Sequence, residues 1–266
     1  MQLMLRNSQA KIRTTFVGLD GEATDPTNPR VTVTRDSTGD VVADEQPATL
    51  ESGEGTGIVS YTLDPIDTVD LLRVEWSADD ASAPDMQVSV VGAHLCTLEQ
   101  LQAKLGGQLE PYELRALREA VERRLEDACG VAFRPSYHRE QLPGDGTNEL
   151  LLSRPRPLTI LSATLDGQNV LGHVGLTIGG TVTGVTFPRG RTLDIAYVHG
   201  WPMTPEPVRD AALELAAQTF AGAGERVSRF REDEHEVWFT LPGNGRTTGI
   251  PMVDQVISDY GYPVVG

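Results

Sequence analysis

Residues that could carry out catalysis or hold a metal ion are sparse in this chain of 266 residues. Its histidines are His94, His138, His173, His199 and His235. None of them lies in an HExxH or comparable spacing, so the sequence shows no pair of imidazole ligands. The acidic run Glu232–Glu236 surrounds His235; we interpret it as charged surface, with a metal site as the alternative. Asp20, Glu22 and Asp25 could ligate calcium, but they lack the spacing of a helix-loop-helix calcium site, and a solvated turn is the favoured interpretation.

The motifs that mark common enzyme classes are also missing. The chain has no GxxxxGK[ST] phosphate loop and no GxSxG nucleophile turn. The glycines from Gly243 to Gly249 are spaced one residue too widely for GxGxxG, and no βαβ pattern precedes them. We therefore predict that the protein is not an enzyme and that it binds no cofactor or metal.

The composition is typical of a soluble protein made in the cytoplasm. No apolar run approaches the roughly 20 residues that a membrane span requires. The N-terminal segment MQLMLRNSQAKIR has no apolar core of signal-peptide length. Cys96 and Cys129 are interpreted as reduced thiols that pack as small apolar side chains, with a bridge between them as the alternative.

The net charge of −16 argues against a protein that grips nucleic acid. Residues 1–95 account for much of it, with 6 basic against 16 acidic side chains. An acidic surface repels the phosphate backbone, so sequence-specific DNA binding is not expected. DNA that passes without being retained is compatible with this charge.

Residues 1–95 have the pattern of an all-β domain. Val31–Arg35 alternates with period two, and further short candidate strands follow at intervals bounded by turn residues. In the candidate strand Leu71–Ser77, the side chains of Leu72, Val74 and Trp76 share one face. The sequence therefore predicts a small immunoglobulin-like β-sandwich over residues 1–95.

Residues 96–266 alternate between helical and strand patterns. Helices are predicted at about 98–105, 111–129 and 205–221. Thr97 and Gln100 form a capping-box pattern at the start of the first helix. Pro111 suits the first turn of the second helix, and Gly130 suits its end. A β region is predicted at about 136–198 and an extended C-terminal arm at about 225–266. The predicted fold class is thus α+β: the sandwich, then a helical connector domain with an inserted β region, then the arm.

The helical pattern indicates a role in subunit assembly. The helix at 111–129 has one narrow apolar stripe, so its charged faces are free to contact neighbouring subunits. Glu119 and Arg123 could instead stabilise the helix itself as an i,i+4 pair. The C-terminal segment has weak helical spacing and is interpreted as an arm that docks on a neighbouring subunit. The interface candidates are Arg115, Arg118, Glu119, Glu122, Arg123, Ile250, Val253, Val256 and Tyr260.

Over residues 97–262 the chain resembles the head-to-tail connector (adaptor) proteins of long-tailed bacteriophages. Four segments in the same order carry the resemblance: YELRALREAVERRLEDACGVAFRP, LLLSRPRPLTILSATLDG, LDIAYVHGWPMTPEPVRDAALELAAQTF and TLPGNGRTTGIPMVDQVISDYGY. The N-terminal β domain departs from the compact members of that family, which start near the first helix.

The resemblance implies a structural virion protein that forms a twelve-fold ring beneath the portal. Such a ring would join head to tail at the neck and let viral DNA pass through its channel. Its partners would be further copies of the chain, the portal protein and a downstream head-completion or tail protein, with no membrane involved. The alternative function is a carbohydrate- or host-surface-binding module carried by the β-sandwich, which exposed aromatic side chains in its loops would favour.

Overall fold

The computed structural model describes residues 2–51, 57–107, 109–177, 179–229 and 248–261, and of residues 222–229 it describes the backbone only. The described chain forms two compact units. Unit 1 comprises residues 1–92 and 135–200, and unit 2 comprises residues 93–134 and 201–266. No helix in the described part of the chain is long and apolar enough to cross a membrane.

The first half of unit 1 consists of two β-sheets. Its strands are β1 (Gln2–Leu5), β2 (Ala10–Thr15), β3 (Arg30–Arg35), β4 (Val41–Pro47), β5 (Thr49–Leu50), β6 (Ile58–Leu63), β7 (Asp70–Ser77) and β8 (Met86–Val91). One sheet has the order β1-β8-β7-β3-β4 and the other β2-β6-β5. β1 pairs with β8 in parallel, and the other pairs are antiparallel.

These two sheets share one apolar core. In β7, Leu72, Val74 and Trp76 are buried while Arg73 and Glu75 between them are exposed, as the period of two predicts. From the other sheet, side chains such as those of Ile12 and Val59 enter the same cluster. The structure therefore shows a pair of packed sheets; their immunoglobulin-like character stays a prediction.

The second half of unit 1 adds two further antiparallel sheets. Its strands are β9 (Ser136–Pro143), β10 (Glu149–Leu151), β11 (Pro157–Leu165), β12 (Gln168–Asn169), β13 (Gly175–Leu176), β14 (Thr181–Thr183) and β15 (Thr192–His199). They are ordered β12-β11-β15-β9 and β10-β14-β13. The β11–β12 hairpin turns at Asp166 and Gly167, whose φ angles of 48° and 79° explain the Asp-Gly sequence there. Phe187, Leu193, Ile195 and Tyr197 are among the fully buried side chains that fill this half.

Unit 2 is built from the helices α1 (Leu98–Lys104), α2 (Pro111–Cys129), α3 (Glu206–Arg229) and α4 (Pro251–Tyr260). Thr97 caps α1 through a capping box with Gln100, and Gly130 ends α2 in the left-handed conformation. Leu114, Val121 and Leu125 from α2 enter one apolar cluster with Val208 and Leu215 from α3.

The predicted fold class was wrong. Among the described residues, fifteen β-strands form four sheets beside four α-helices, more residues lie in strands than in helices, and a helical connector domain is not evident there. The β region after α2 belongs to the same compact unit as residues 1–92, and not to the unit that contains the helices. Residues 251–260 of the predicted arm form α4, which packs against the other helices of unit 2; residues 230–247 and 262–266 lie outside the described residues. The predicted domain boundary at residue 95 stays a prediction.

Candidate assembly surfaces

The charged side of α2 is the surface that the sequence singled out for assembly. Successive turns bring a continuous set of side chains to the side of the helix that faces away from the apolar cluster. We call this set the outward face of α2; it consists of Tyr112, Arg115, Ala116, Glu119, Ala120, Arg123, Arg124 and Asp127. All of these are exposed except Glu119, which is half-buried. The candidates Arg115, Glu119 and Arg123 therefore lie together on one side of the helix.

The charged side chains of this face form no ion pair with another described residue. Other charged side chains of unit 2 do pair: Lys104 Nζ lies 2.8 Å from Glu214 Oε2, and Arg209 Nη2 lies 2.9 Å from Glu206 Oε1. By contrast, no ion pair within 4.0 Å joins a charged side chain of the outward face to another described residue, and Glu119 does not pair with Arg123. The helix-stabilising alternative for these two residues is thus not formed here.

Glu122 lies on the opposite side of α2 and is fully buried. Its Oε1 accepts a hydrogen bond of 2.7 Å from the backbone N–H of Leu95, and its Oε2 lies 3.0 Å from His94 Nδ1 and bonds to Arg134 Nη1. Burial by itself would raise the pKa of Glu122, but the His94 hydrogen bond, the Arg134 charge and the Leu95 N–H together hold it below its ordinary value. Glu122 is therefore a buried carboxylate inside the subunit and not part of an exposed surface.

Two more side chains extend this group, which we call the Glu122 cluster: His94, Arg118, Glu122, Glu126 and Arg134. Arg134 Nη2 donates to Glu126 Oε2 at 3.1 Å, and Arg118 Nη2 lies 2.9 Å from His94 Nε2. Glu126 Oε1 also accepts a hydrogen bond from the backbone N–H of Phe133 at 2.9 Å. The cluster thus fastens the segments before and after α2 to the helix. Sequence analysis missed it, although the acidic pair Glu122 and Glu126 at i,i+4 beside the apolar stripe was a usable signal.

The C-terminal candidates are also inside the subunit. Ile250, Val253 and Val256 are 7%, 1% and 2% exposed and belong to the apolar cluster of unit 2. Tyr260 packs edge-on against Phe133 and Trp201, with ring centroids 5.8 Å apart in both pairs. These four side chains therefore stabilise their own chain, and the interface role predicted for them is not what the structure shows. For Arg115, Glu119 and Arg123 an interface role stays a prediction, and so it does for Arg118, which is half-buried and bonds to His94.

Unit 1 has a half-open cleft of about 520 Å³ that the sequence analysis did not anticipate. Two pairs of its charged lining residues bond to each other: Arg139 Nε donates to Asp194 Oδ1 at 2.8 Å, and Arg73 bonds to Asp36. Tyr137 Oη also donates to Asp36 Oδ2 at 2.6 Å. Burial would raise the pKa of Asp36, but the Tyr137 and Arg73 hydrogen bonds lower it below its usual range. Asp36, which follows β3, thus bonds to Arg73 of β7 and to Tyr137 of β9.

The metal alternatives find no support in the described part of the chain, where no three His, Cys, Asp or Glu side chains come together as ligands. Asp20 Oδ1 accepts the N–H of Glu22 at 3.1 Å, and Asp25 Oδ1 accepts the N–H of Gly57 at 3.0 Å, so these carboxylates stabilise turns. The run Glu232–Glu236 lies outside the described residues. Cys96 and Cys129 are buried free thiols.

No protein-family model and no curated protein matches the chain. Among solved structures, the neck of an empty gene transfer agent particle is similar over 65% of this chain and 92% of that chain, at 16% identity and a TM-score of 0.42. The virion of a native gene transfer agent particle is similar over the same shares, at 16% identity and a TM-score of 0.43. The Lin-41 filamin domain is similar over 33% of this chain and 82% of that domain, at 12% identity and a TM-score of 0.22. TM-scores below 0.5 are too low to assign a shared fold.

Proposed function

We propose that this protein is a structural subunit of the neck of a bacteriophage-like particle. In this proposal, copies of the chain form a ring between the portal and the next head-completion or tail protein, and DNA passes through the ring. The proposal draws on the four sequence segments that resemble head-to-tail connectors. The observation that carries it is the outward face of α2, whose charged side chains make no ion pair with another described residue.

The outward face is suited to binding another protein surface. It carries both signs of charge, with Arg115, Arg123 and Arg124 beside Glu119 and Asp127, so a partner with the complementary pattern is selected over others. The Glu122 cluster and the apolar stripe hold the other side of α2 rigidly. A helix fixed in this way loses little conformational freedom when its outward face binds a partner.

The charge of the chain fits a channel through which DNA passes. With a net charge of −16, the subunit repels phosphate at long range, so a ring of such subunits would not retain DNA. The twelve-fold symmetry of the ring, the portal as partner and the virion as location follow from the resemblance and belong to the same proposal. The absence of enzymatic activity is also part of it and draws on the missing catalytic motifs.

The alternative, a carbohydrate- or host-binding sandwich, has weaker support. Such modules bind sugars with exposed aromatic rings. In residues 1–95, Phe16 is 0% and Trp76 is 7% exposed, and Tyr61 packs against the same core. The aromatic side chains described in this part of the chain are thus used for folding.

The mass of the assembly tests the proposal. Purified protein is measured alone and after mixing with the portal protein of its particle, by native mass spectrometry. We expect a ring, or a monomer that forms a ring on the portal. The variant Arg115→Glu/Arg123→Glu is expected to assemble poorly, whereas Arg6→Glu, at an exposed position of unit 1, is expected to assemble normally. A chain that stays a monomer and does not bind the portal contradicts the proposal.

A further inference from the structure

Two neighbouring loops form an acidic projection on unit 1. They comprise residues 18–28 and 79–85, and we call them the acidic loop pair. The backbones of Val17 and Ser82 exchange two hydrogen bonds, and Thr27 donates to Asp80 through its N–H at 2.7 Å and its Oγ1 at 2.6 Å. Asn28 Nδ2 donates to Asp79 Oδ2 at 2.8 Å. The two loops are therefore held to each other.

Leu19 lies in the first of these loops and is fully exposed, at 106% of its reference area. The turn beneath it is closed by backbone hydrogen bonds from Gly18 to Glu22 and from Gly21 to Gly18, 2.9 and 3.0 Å long. When such a side chain binds a partner, little conformational entropy is lost, because the backbone of the closed turn is already ordered. A protruding leucine with this support is a suitable anchor for a protein contact.

The acidic loop pair has one sign of charge. Its exposed carboxylates are those of Asp20, Glu22, Asp79, Asp80 and Asp85. Neither loop contains a lysine or arginine. None of these five carboxylates forms an ion pair with another described residue. The projection is thus a negative surface around a leucine.

The outward face of α2 has the complementary properties. Arg115 and Arg123 lie two turns apart, and Ala116 and Ala120 are the small residues between them. The exposed ring of Tyr112, at 69%, provides an apolar surface at the start of the helix. The distance from Tyr112 to Arg123 along the axis is about 16 Å, at about 1.5 Å per residue.

From this complementarity we propose that the acidic loop pair of one copy docks on the outward face of α2 of a second copy of this chain. Leu19 packs against Tyr112 and Ala116, and the surrounding carboxylates pair with Arg115 and Arg123. The inference rests on the proposed function, in that copies of the chain associate, and it names the contact through which they do so.

A second copy fits this face better than nucleic acid does. Glu119 and Asp127 lie among the arginines of the outward face and weaken its attraction for any negative partner. What favours the acidic loop pair over nucleic acid is therefore the apolar contact, since Leu19 is an exposed apolar side chain that can pack against Tyr112. The acidic loop pair is a described surface of the same chain that has both an apolar side chain and negative charge, and a contact between two different surfaces is the heterologous type that forms rings.

Disulfide cross-linking between two singly substituted chains tests the contact directly. One full-length chain carries Leu19→Cys and the other Ala116→Cys, and the mixture is oxidised and separated without reductant. The native Cys96 and Cys129 are 5% and 1% exposed, so they do not compete. Leu19→Cys with Gln168→Cys, an exposed residue of β12, serves as the matched control pair. We expect a covalent dimer from the first pair at a rate at least about tenfold above that of the control, since docking raises the local concentration of the two thiols.

Charge reversal then tests the electrostatic part. Adding Arg115→Glu and Arg123→Glu to the Ala116→Cys chain is expected to slow cross-linking by about tenfold. Adding Glu22→Arg and Asp85→Arg to the Leu19→Cys chain should restore the cross-linking rate. These two residues are chosen because neither carboxylate makes a hydrogen bond with another described residue. The docking inference is overturned if the cross-linking rate equals that of the control pair, or if the charge reversals do not change that rate.

The mass of the unsubstituted chain, measured on the same preparation, separates this inference from the proposed function. Copies that associate without cross-linking the chosen pair overturn the docking contact and leave the neck proposal standing. Cross-linking that follows the charges supports the contact. A chain that neither associates nor cross-links overturns the docking contact, and its binding to the portal then decides the proposed function.

Discussion

Removal of the Glu122 carboxylate should destabilise unit 2 strongly. In Glu122→Ala, the guanidinium of Arg134, which is 4% exposed, loses the partner that bonds to its Nη1 and keeps Glu126. The N–H of Leu95 and the ring of His94 lose an acceptor as well. Breaking a buried ion pair by removing one partner costs about 3–5 kcal/mol when the remaining charge has no compensation. Arg134 keeps Glu126, so the loss should lie near the lower end of that range. We expect the free energy of unfolding to fall by about that amount at pH 7.

The same residue has a defined pH dependence. The pKa of Glu122 is lowered in the folded chain, so its carboxylate binds protons more weakly there than in the unfolded chain. Its contribution to stability is therefore complete above the ordinary glutamate pKa and is lost as the pH falls below it. The difference in stability between the native chain and Glu122→Ala should accordingly be largest at neutral pH and shrink in acid.

Chemical denaturation followed by tryptophan fluorescence measures this effect. Trp201 packs against Phe133 at 5.2 Å between ring centroids, so it reports on unit 2, and replacing Trp76 and Trp238 by phenylalanine leaves it as the sole tryptophan. Arg123→Ala, at an exposed position of the same helix, is the control and should change stability by less than about 0.5 kcal/mol.

The double variant Glu122→Leu/Arg134→Met provides the second check. It removes both charges, so it should recover much of the loss. The reasoning is refuted if Glu122→Ala unfolds like Arg123→Ala, or if removing both partners costs as much as removing Glu122 alone.

Three further predictions concern buried groups and a strained glycine. Burial, with smaller effects from His138 and Arg154, lowers the pKa of His199 to about 4. As the pH falls, the unfolded chain therefore binds this proton before the folded chain does, and the free energy of unfolding should fall by about 3 kcal/mol between pH 6.5 and pH 4. Acid-denaturation curves of His199→Phe should show a smaller fall. An unchanged pH dependence in His199→Phe would exclude this origin. Burial also raises the pKa of Cys96 to about 11 and that of Cys129 to about 12, so neither thiol should react with Ellman's reagent at pH 8 until the chain is unfolded; rapid labelling of the folded chain would contradict their burial. Gly57 has a φ of 60°, and a Cβ there would lie 2.4 Å from the carbonyl oxygen of Phe16, whereas Gly21 has a φ of 82° and open space around it. Thermal unfolding should therefore show a larger loss of stability for Gly57→Ala than for Gly21→Ala. Equal losses of stability would mean that the steric contact adds nothing.

Local structure could be predicted where residues constrain the backbone directly. Thr97 with Gln100, Pro111 and Gly130 mark helix ends because they satisfy or replace terminal hydrogen bonds, and the structure has α1 and α2 between them. The alternation of Leu72, Val74 and Trp76 likewise identified the buried face of β7. These signals act over a few residues, so one sequence is enough to detect them.

The errors arose where the outcome depends on distant partners. That β9 and β15 join residues 1–92 in one compact unit depends on contacts such as Tyr137 with Asp36, 101 residues apart, which no local pattern reveals. The segment that forms α4 was predicted to be an arm because its apolar residues are few. In the structure, Val253, Val256 and the apolar side chains near them pack into the cluster that α2 and α3 also line.

The charged side chains of α2 show the same limit for the candidate site. The helical period places Arg123 opposite the apolar stripe and Glu122 beside it, but a charged residue beside a stripe can be either buried or exposed. The structure separates them, because Arg134 and the N–H of Leu95 offer Glu122 a polar interior while Arg123 has no described partner. Whether a charged helical residue is part of the interior or of an assembly surface thus depends on what the neighbouring segments supply.

Electron microscopy of particles labelled on this chain is the most direct test of the neck proposal. Purified particles are decorated with a gold-labelled antibody against the chain and imaged. The proposal predicts label at the junction of head and tail, in a ring beneath the portal. Label distributed over the capsid surface, concentrated at the far end of the tail or missing from intact and opened particles alike would contradict it.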